Sequence, residues 1–342
     1  MAYSSIVKPT DYFNTKLHTG NGSTQSITGV GFQPDFTWIK DRSGGNDHQI
    51  VDAVRGATKA VSSNRNDTAT FSDGLTSFDS DGYSLGNNTR YNGSSTNYVG
   101  WNLKANGAGS SNTDGSVTST VSANTTSGFS IVSYTGTGSN ATVGHGLSVA
   151  PDVVLIKGRS NTDNWFMKHP SLNANQYLYL NDTASVRSGN NVWNNTNPDA
   201  TKIYVGTDGG VNGNGTTYVG YAWTQKKGYS KFGSYTGNGS TNGAFAYTGF
   251  KPAFVMIKTN TDSGEWAMFD NKRNIGNETA DVLRANSNSA ESDSTGNNSI
   301  DILSNGFKVK GTGGWVGTNG RGFIYMAFAE APFVANNSGT AV

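Results

Sequence analysis

The sequence predicts an all-β protein of three tandem antiparallel β-sandwich (jelly-roll) units that are related by internal repetition. Three observations indicate this fold: one stretch occurs three times, short apolar runs alternate with turns, and glycine accounts for 45 of the 342 residues. The frequent Asn-Gly and Asp-Gly pairs tolerate a positive φ and suit tight hairpin turns. Many short strands joined by such turns are typical of sandwiches.

The repeated stretch is a glycine-rich turn followed by an apolar strand that ends in Ile-Lys. Its copies cover residues 19–40, 134–157 and 235–258. The third copy is the clearest, with Tyr-Thr-Gly-Asn-Gly-Ser followed by Gly-Phe-Lys-Pro-Ala-Phe-Val-Met-Ile-Lys. The second is looser, because Thr137 replaces the Asn of the turn. The copies recur every ~100–120 residues, which indicates one domain per repeat and not a solenoid.

The chain therefore divides into four parts. Residues 1–104 form unit 1 with a short lead-in, and residues 129–227 form unit 2. Residues 228–342 form unit 3, with a polar tail after Val334 that we expect to be extended. Between units 1 and 2, residues 105–128 are rich in Gly, Ser, Thr and Asn and are expected to form a linker. Whether the units fold separately or exchange strands stays open at this level.

Short apolar or alternating runs give the expected strands. In unit 1, residues 50–61 are expected to form one short helix or an irregular crossover. In unit 2, the run at 153–156 is apolar on both faces, whereas 307–310 in unit 3 alternates, and a sandwich with some doubly covered strands fits both patterns. The other expected strands are 12–18, 25–30, 36–39, 78–85 as a hairpin, 98–103, 130–134, 164–168, 177–180, 202–205, 218–223, 265–269, 305–309 and 323–328.

Composition excludes several classes of protein. Charged residues make up 14% of the chain and the net charge is +1, so no basic stripe marks a nucleic-acid partner. Without cysteine there is no disulfide framework, thiol nucleophile or cysteine zinc site. No apolar core follows the first residues, so we expect synthesis without a signal peptide. The longest apolar segment, 323–334, is short of the ~20 residues that span a bilayer, and we expect no membrane insertion.

The sequence offers weak candidates for metal binding and catalysis, and we expect no cofactor. Asp79 and Asp81 resemble the start of a calcium loop, although a plain hairpin turn explains them better. His48, near Asp47 and Asp52, is either a fragment of acid–base chemistry or part of a solvated loop, the latter being favoured. His18 replaces a tyrosine of the other repeats and is expected to pack.

Catalytic carboxylates and lysines also have simpler explanations. Acids near comparable strand ends are few, so we expect a protein that is not an enzyme, with glycan cleavage as the alternative. The lysines that close the repeated strands are more simply explained as guards of a sheet edge than as a shared catalytic group. These acids and lysines are Asp163, Asp262, Glu265, Asp270, Lys40, Lys157 and Lys258.

Two tryptophans in polar loops are the main binding candidates. Trp193 lies between Asn191 and Asn194, and Trp315 lies in a glycine-rich loop. An aromatic face flanked by amides suits a sugar ring, which combines apolar contact with hydrogen bonds. A loop anchor or a subunit contact is the favoured alternative for both. Arg90 and Tyr91 in unit 1 complete the set of candidate residues for glycan or partner binding.

The repeated motifs, together with Tyr-Val-Gly-Trp at 98–101, resemble repeat domains in virion proteins of marine tailed phages, cyanophages especially. Residues 21–40 and 235–258 carry the match, which extends over nearly the whole chain outside 105–128 and the termini. Such domains are similar to concanavalin-like lectin sandwiches. The resemblance implies a structural protein on the virion surface, made in the host bacterial cytoplasm, and it implies no catalytic residues.

The resemblance also implies other virion proteins of the tail or capsid as partners. The chain lacks coiled-coil heptads and a long shaft, so we favour a short tail fibre or knob-type adhesin that binds host-surface glycans or a receptor. The alternatives are a capsid decoration or head fibre protein and, from another class, a polysaccharide depolymerase. A homo-oligomer is expected, and a trimer, the usual state of phage fibres, is favoured.

Overall fold

The computed structural model describes residues 4–70 and 73–332 and confirms the all-β prediction. Within these residues the strands form six open antiparallel sheets, three large and three small. The described helices are all short, and none is long and apolar enough to cross a membrane. The polar tail after Val334 lies outside the described residues. Below, units 1, 2 and 3 denote residues 4–104, 129–227 and 228–332, and the connecting segment denotes residues 105–128.

Unit 1 begins with a 3₁₀ helix at Pro9–Asp11. Its further elements are β1 Phe13–Thr19, β2 Gln25–Thr28, β3 Phe36–Asp41, β4 Gln49–Asp52, β5 Lys59–Val61, β6 Thr68–Thr70, β7 Leu75–Asp79, β8 Gly82–Leu85, α1 Thr89–Asn92 and β9 Asn97–Leu103. The large sheet has the order β1-β9-β3-β4-β5-β6, and the small sheet β2-β8-β7. The helix or crossover expected at 50–61 is wrong, because the β-branched Ile50 and Val51 are buried on opposite faces of a strand.

The connecting segment is part of a sheet and not a free linker. It contains β10 Ser110–Asn112 and β11 Ser119–Asn124, and β11 pairs with the first strand of unit 2. Val117 and Val121 anchor it in the apolar cluster of unit 2, and Ala105 N donates a hydrogen bond of 2.7 Å to Asp35. Two valines among small polar residues were too weak a pattern to predict these strands.

Unit 2 repeats the strand order of unit 1. Its elements are β12 Phe129–Thr135, β13 Ala141–Gly144, β14 Val153–Gly158, β15 Trp165–Lys168, β16 Gln176–Tyr179, β17 Arg187–Ser188, α2 Asn190–Trp193, β18 Lys202–Val205, α3 Gly209–Asn212 and β19 Thr217–Trp223. The large sheet has the order β10-β11-β12-β19-β14-β15-β16-β17, and the small sheet pairs β13 with β18.

Unit 3 follows the same plan. Its strands are β20 Ser230–Thr236, β21 Phe245–Tyr247, β22 Phe250–Thr259, β23 Ala267–Asp270, β24 Asp281–Arg284, β25 Ser292–Asp293, β26 Ile300–Leu303, β27 Gly306–Val309 and β28 Gly322–Pro332. The large sheet has the order β20-β28-β22-β23-β24-β25, and the small sheet β21-β27-β26. The repeated sequence therefore supplies the corresponding strands β3, β14 and β22 in the interior of the three large sheets.

These interior strands are buried along nearly their whole length because each large sheet is covered on both faces. In β22, Val255 and Ile257 point into a cluster shared with the small sheet of unit 3. Phe254 and Met256, which alternate with them, enter a central cluster to which all three large sheets contribute. Full burial of each such side chain stabilises the fold by about 1.5–3 kcal/mol. The central cluster therefore holds the three units together.

The Gly-x-Gly turns lie at the opposite end of the sheets from the start of β3, β14 and β22. We call this the turn end, and the other the groove end. In unit 1, a Cβ on Gly20 would lie 2.2 Å from the carbonyl oxygen of Gly93, and Gly22 has φ +70°. Thus the first glycine permits close approach of two backbones, and the second permits a left-handed conformation. Asn21 N donates to Asn92 Oδ1 at 3.0 Å, which ties the turn to α1.

Candidate functional site

Most residues singled out in the sequence turn out to join the units or fill their cores. At the turn end, Trp165 Nε1 donates a hydrogen bond of 2.8 Å to Ser62 O of unit 1. Trp266 Nε1, at the corresponding position of unit 3, donates to Tyr179 O of unit 2 at 2.9 Å. Both indoles are buried. Each satisfies a carbonyl of the neighbouring unit, so both serve as structural contacts.

His48 holds this same position in unit 1. Its Nδ1 accepts a hydrogen bond of 2.9 Å from Trp38 Nε1, so Nε2 carries the proton and donates to Arg284 O of unit 3 at 3.0 Å. Burial lowers the pKa of His48 well below its ordinary value. The ring is thus a neutral contact between units, and both earlier interpretations, acid–base group and solvated loop, are wrong.

His18 packs as the repeats predicted. Its ring stacks on Tyr98 at 4.9 Å, and its Nε2 is 3.0 Å from Tyr91 O. The corresponding stacked pairs in the other units are Tyr134 with Tyr218 at 5.1 Å and Tyr235 with Phe323 at 5.2 Å.

The three repeated lysines do not guard a sheet edge. Lys40, Lys157 and Lys258 are fully buried on interior strands, and burial lowers the pKa of each ammonium group to about 8. Lys157 Nζ donates to Asn66 O of unit 1 at 3.0 Å, and Lys258 Nζ donates to Thr183 O of unit 2 at 3.0 Å. Lys40 Nζ donates to Gly44 O within unit 1 at 3.1 Å. The edge interpretation is therefore wrong, since these ammonium groups are buried on interior strands and satisfy carbonyls there.

Buried ion pairs, which the sequence did not reveal, join unit 1 to both neighbours. Asp270 of unit 3 pairs with Arg273 at 2.6 Å and accepts a hydrogen bond of 3.0 Å from Trp101 Nε1 of unit 1. At the other junction, Asp52 pairs with Arg55 of its own unit. It also accepts a hydrogen bond of 2.7 Å from the Tyr221 hydroxyl of unit 2.

The third junction lacks the ion pair. Met326 of unit 3 takes the place of Trp101 and Tyr221, and it has no polar hydrogen to donate. His169 and Leu172 of unit 2 stand where the other units have Asp and Arg, and His169 Nε2 contacts Tyr325 O at 3.2 Å. The buried aspartate, its arginine and the hydrogen-bond donor of the neighbouring unit are therefore replaced together. Removing only one of them would leave a buried charge without its partner.

The remaining carboxylates named as catalytic candidates make local contacts. Asp262 pairs with Arg321 at 2.6 Å. Asp163 Oδ1 accepts from Asn164 N at 2.9 Å, and Glu265 accepts from Asn286.

The calcium candidates serve the hairpin. Asp81 accepts hydrogen bonds from Gly29 N at 2.9 Å and Gly31 N at 2.6 Å, and these bonds lower the pKa of its carboxyl group. Asp79 accepts from Ser77 Oγ at 2.8 Å and from Ser84 Oγ at 2.7 Å. Across residues 4–70 and 73–332, no three His, Asp or Glu side chains are grouped as metal ligands.

Trp193, the first glycan candidate, is only 2% exposed and belongs to the core of unit 2. In this conformation its face is not accessible to a sugar ring, so the structure supports the loop-anchor alternative. Trp315 is half-buried, with the Arg284 guanidinium 5.5 Å from its ring centre.

The polar candidates are scattered. Asn191 is exposed and donates to Asp208 at 2.9 Å, while Asn194 ends α2 in a left-handed conformation with φ 48°. Tyr91 is buried and contacts Gln49 at 3.2 Å, and Arg90 is half-buried beside it in α1. Arg90 and Tyr91 belong to unit 1, whereas both asparagines lie in unit 2.

An exposed aromatic pair in unit 3 was missed. Phe245 and Tyr247 are 46% and 54% exposed on one face of the edge strand β21, while Ala246 between them is buried. The register with the neighbouring strand places Ser26 and Thr28 of unit 1 at the corresponding positions. Alternating aromatic residues normally indicate a core strand, so only a comparison of the repeats reveals this pair as unusual.

Beside Tyr247 lies an open groove of about 600 Å³ at the groove end, where units 2 and 3 meet. Its other lining residues are Gln225, Lys227, Ser230, Lys231 and Thr248. An aromatic ring next to amide, hydroxyl and ammonium groups offers both apolar contact and hydrogen bonds to a sugar. By contrast, the apolar cavity inside the central cluster measures about 40 Å³ and is too small for a sugar ring.

Comparison with known families gives one match. A family model described as a domain of unknown function, DUF7483, matches residues 8–332, which include nearly all of unit 1, the connecting segment and all of units 2 and 3. No curated protein and no solved structure matches the chain. The chain therefore belongs to the DUF7483 family.

Proposed function

We propose that this protein is a bacteriophage virion structural protein on the particle surface, and that it binds host-surface glycans as a short tail fibre or knob-type adhesin. In this proposal three sandwich units related by internal repetition form a rigid frame, and unit 3 carries the binding site. The observation that carries the proposal is the exposed pair Phe245 and Tyr247, of which Tyr247 lines a groove whose other lining side chains are polar. Exposed aromatic residues on a rigid strand are suited to stacking against sugar rings.

Affinity electrophoresis in gels cast with lipopolysaccharide, alginate or dextran tests the binding role. The wild type should be retarded by at least one of these polymers, and F245S/Y247T, which installs the unit 1 residues, should migrate freely. Val7→Ser removes an apolar side chain that is 60% exposed in unit 1 and serves as the control. Equal retardation of the wild type and F245S/Y247T would refute the assigned site.

The same frame suits a capsid decoration or head fibre protein. Immunogold electron microscopy of particles that contain the protein shows whether it lies on the head or on the tail, and so distinguishes the two functions. If the protein releases oligosaccharides from a polymer that retards it, the proposed adhesin function would be wrong and a depolymerase function would be favoured. The expected homotrimer stays a prediction, and sedimentation velocity tests it by measuring a mass three times that of the chain.

A further inference from the structure

Three grooves that are lined by described residues lie at the groove end of units 2 and 3. The groove beside Tyr247 has a volume of about 600 Å³. A second, of about 400 Å³, lies in unit 3 and is lined in part by Lys251, Lys272 and Asn274. A third, of about 250 Å³, lies in unit 2 beside Asp152 and Asn197. The two larger grooves fall in the range of small-molecule sites.

The grooves adjoin one another. Asp152, which lines the third groove, accepts hydrogen bonds of 2.8 and 3.3 Å from the backbone and side chain of Gln225, which lines the first. On the other side, Thr248 of the first groove is three residues from Lys251 of the second. Three extended residues span at most about 10 Å. The grooves are therefore neighbours, with the Tyr247 groove in the middle, and we refer to the three together as the trough.

Positive charge is concentrated in the two larger grooves of this trough. The chain as a whole is nearly balanced, with 25 Lys and Arg against 24 Asp and Glu. The two larger grooves nevertheless carry four lysines that are exposed or half-buried, at positions 227, 231, 251 and 272, and one carboxylate. That carboxylate, Glu330, lies 2.9 Å from Lys251.

We infer that the trough binds an acidic polysaccharide, a chain of sugars bearing carboxylate or sulfate groups, along its length; this inference rests on the proposed glycan binding. Phe245 and Tyr247 would contact sugar rings at the middle. The lysines pair with the acidic groups, and polar side chains of the grooves hydrogen-bond hydroxyl groups. A trough of adjoining grooves fits several successive sugars better than one terminal residue.

Calorimetric titration of the full chain with alginate di-, tetra- and octasaccharides, and with dextran oligosaccharides of the same lengths, tests this inference. Affinity for alginate should rise about tenfold or more from the disaccharide to the octasaccharide, and it should fall with added salt. K231Q/K272Q should weaken octasaccharide binding about tenfold, because charged hydrogen bonds are lost. Lys59→Gln, which removes an exposed lysine of unit 1, should leave the affinity unchanged.

The outcomes separate this inference from the function on which it rests. Dextran binding as tight as alginate binding, lost in F245S/Y247T, would overturn the acidic ligand and leave the glycan-binding role intact. Equal affinity for the disaccharide and the octasaccharide, or unchanged affinity in K231Q/K272Q, would likewise overturn it. Absence of binding to every oligosaccharide, together with free migration in every gel, would overturn both.

Discussion

Trp101 of unit 1 donates a hydrogen bond of 3.0 Å from its indole nitrogen to Asp270 of unit 3. The bond crosses a junction between two large sheets that are far apart in sequence. Glu291 extends the contact, with its carboxylate 2.7 Å from Arg273 of its own unit and 2.6 Å from Arg42 of unit 1. Alternating charges thus join these units through buried and half-buried groups.

Removal of the acid should therefore be costly. Asp270→Ala leaves Arg273 buried without its nearest carboxylate, and we expect the free energy of unfolding to fall by about 3–5 kcal/mol. The triple variant W101M/D270H/R273L installs the side chains of the third junction. Its free energy of unfolding should fall by less than that of Asp270→Ala. Urea unfolding of both variants measures the difference. A loss below about 1 kcal/mol in Asp270→Ala would contradict a structural role for the pair.

Stability should decrease in mild acid. Burial lowers the pKa of His169 to about 4, whereas a histidine in the unfolded chain titrates near 6.5. Below pH 6.5 the unfolded state therefore binds a proton that the folded state does not, and stability falls as the pH decreases towards 4. At pH 5 this histidine alone lowers the free energy of unfolding by about 2 kcal/mol relative to neutral pH.

Unfolding measured between pH 7.5 and 5 checks this expectation. His169→Gln should show a shallower loss of stability than the wild type, with the residual slope due to other buried histidines such as His48. Identical slopes in the two proteins would show that His169 does not carry the effect.

Trp193 should matter for folding and not for glycan binding. Trp193→Ala removes a buried side chain from the core of unit 2 and should cost about 3–5 kcal/mol. Trp193→Phe keeps most of the ring volume and should lower the free energy of unfolding much less than Trp193→Ala. Thermal unfolding and gel retardation of the two variants separate the roles. Loss of retardation in Trp193→Phe with unchanged stability would restore Trp193 as a binding residue.

Calcium should have no effect on stability. The carboxylates of Asp79 and Asp81 already accept hydrogen bonds from the surrounding hairpin. We therefore expect calcium and a chelator to give melting temperatures within about 1 °C of each other. Asp81→Ala should lower the melting temperature in both conditions by an equal amount. If calcium raised the melting temperature of the wild type and not that of Asp81→Ala, Asp81 would be part of a calcium site.

Much of the fold was predictable because it depends on local chemistry. Turn residues and alternating apolar runs locate strands such as β9, β18 and β19, and the hairpin of β7 and β8. Contacts between the units were not predictable, since the partners of Trp101 or His48 lie more than a hundred residues away. A lysine at a strand end looks solvent-exposed in sequence, and only the packing of another unit buries Lys157.

The proposed binding site was the least predictable part. Tryptophans in polar loops attracted attention, yet Trp193 fills a core. Phe245 and Tyr247 alternate as core residues do, and nothing local marks their exposure. The signal that was available is their difference from Ser26 and Thr28 in the aligned repeat. In a repeated frame, positions where one repeat departs from the others are therefore the first candidates for recognition residues.

The most direct test of the account is a crystal structure of the chain soaked with the oligosaccharide that binds most tightly in the titrations. We predict a sugar ring stacked about 4 Å from the ring of Tyr247, with neighbouring sugars in the adjoining grooves. Density for the sugar at Trp315 or elsewhere, with the Tyr247 groove empty, would contradict the assignment of the binding site to unit 3's aromatic pair.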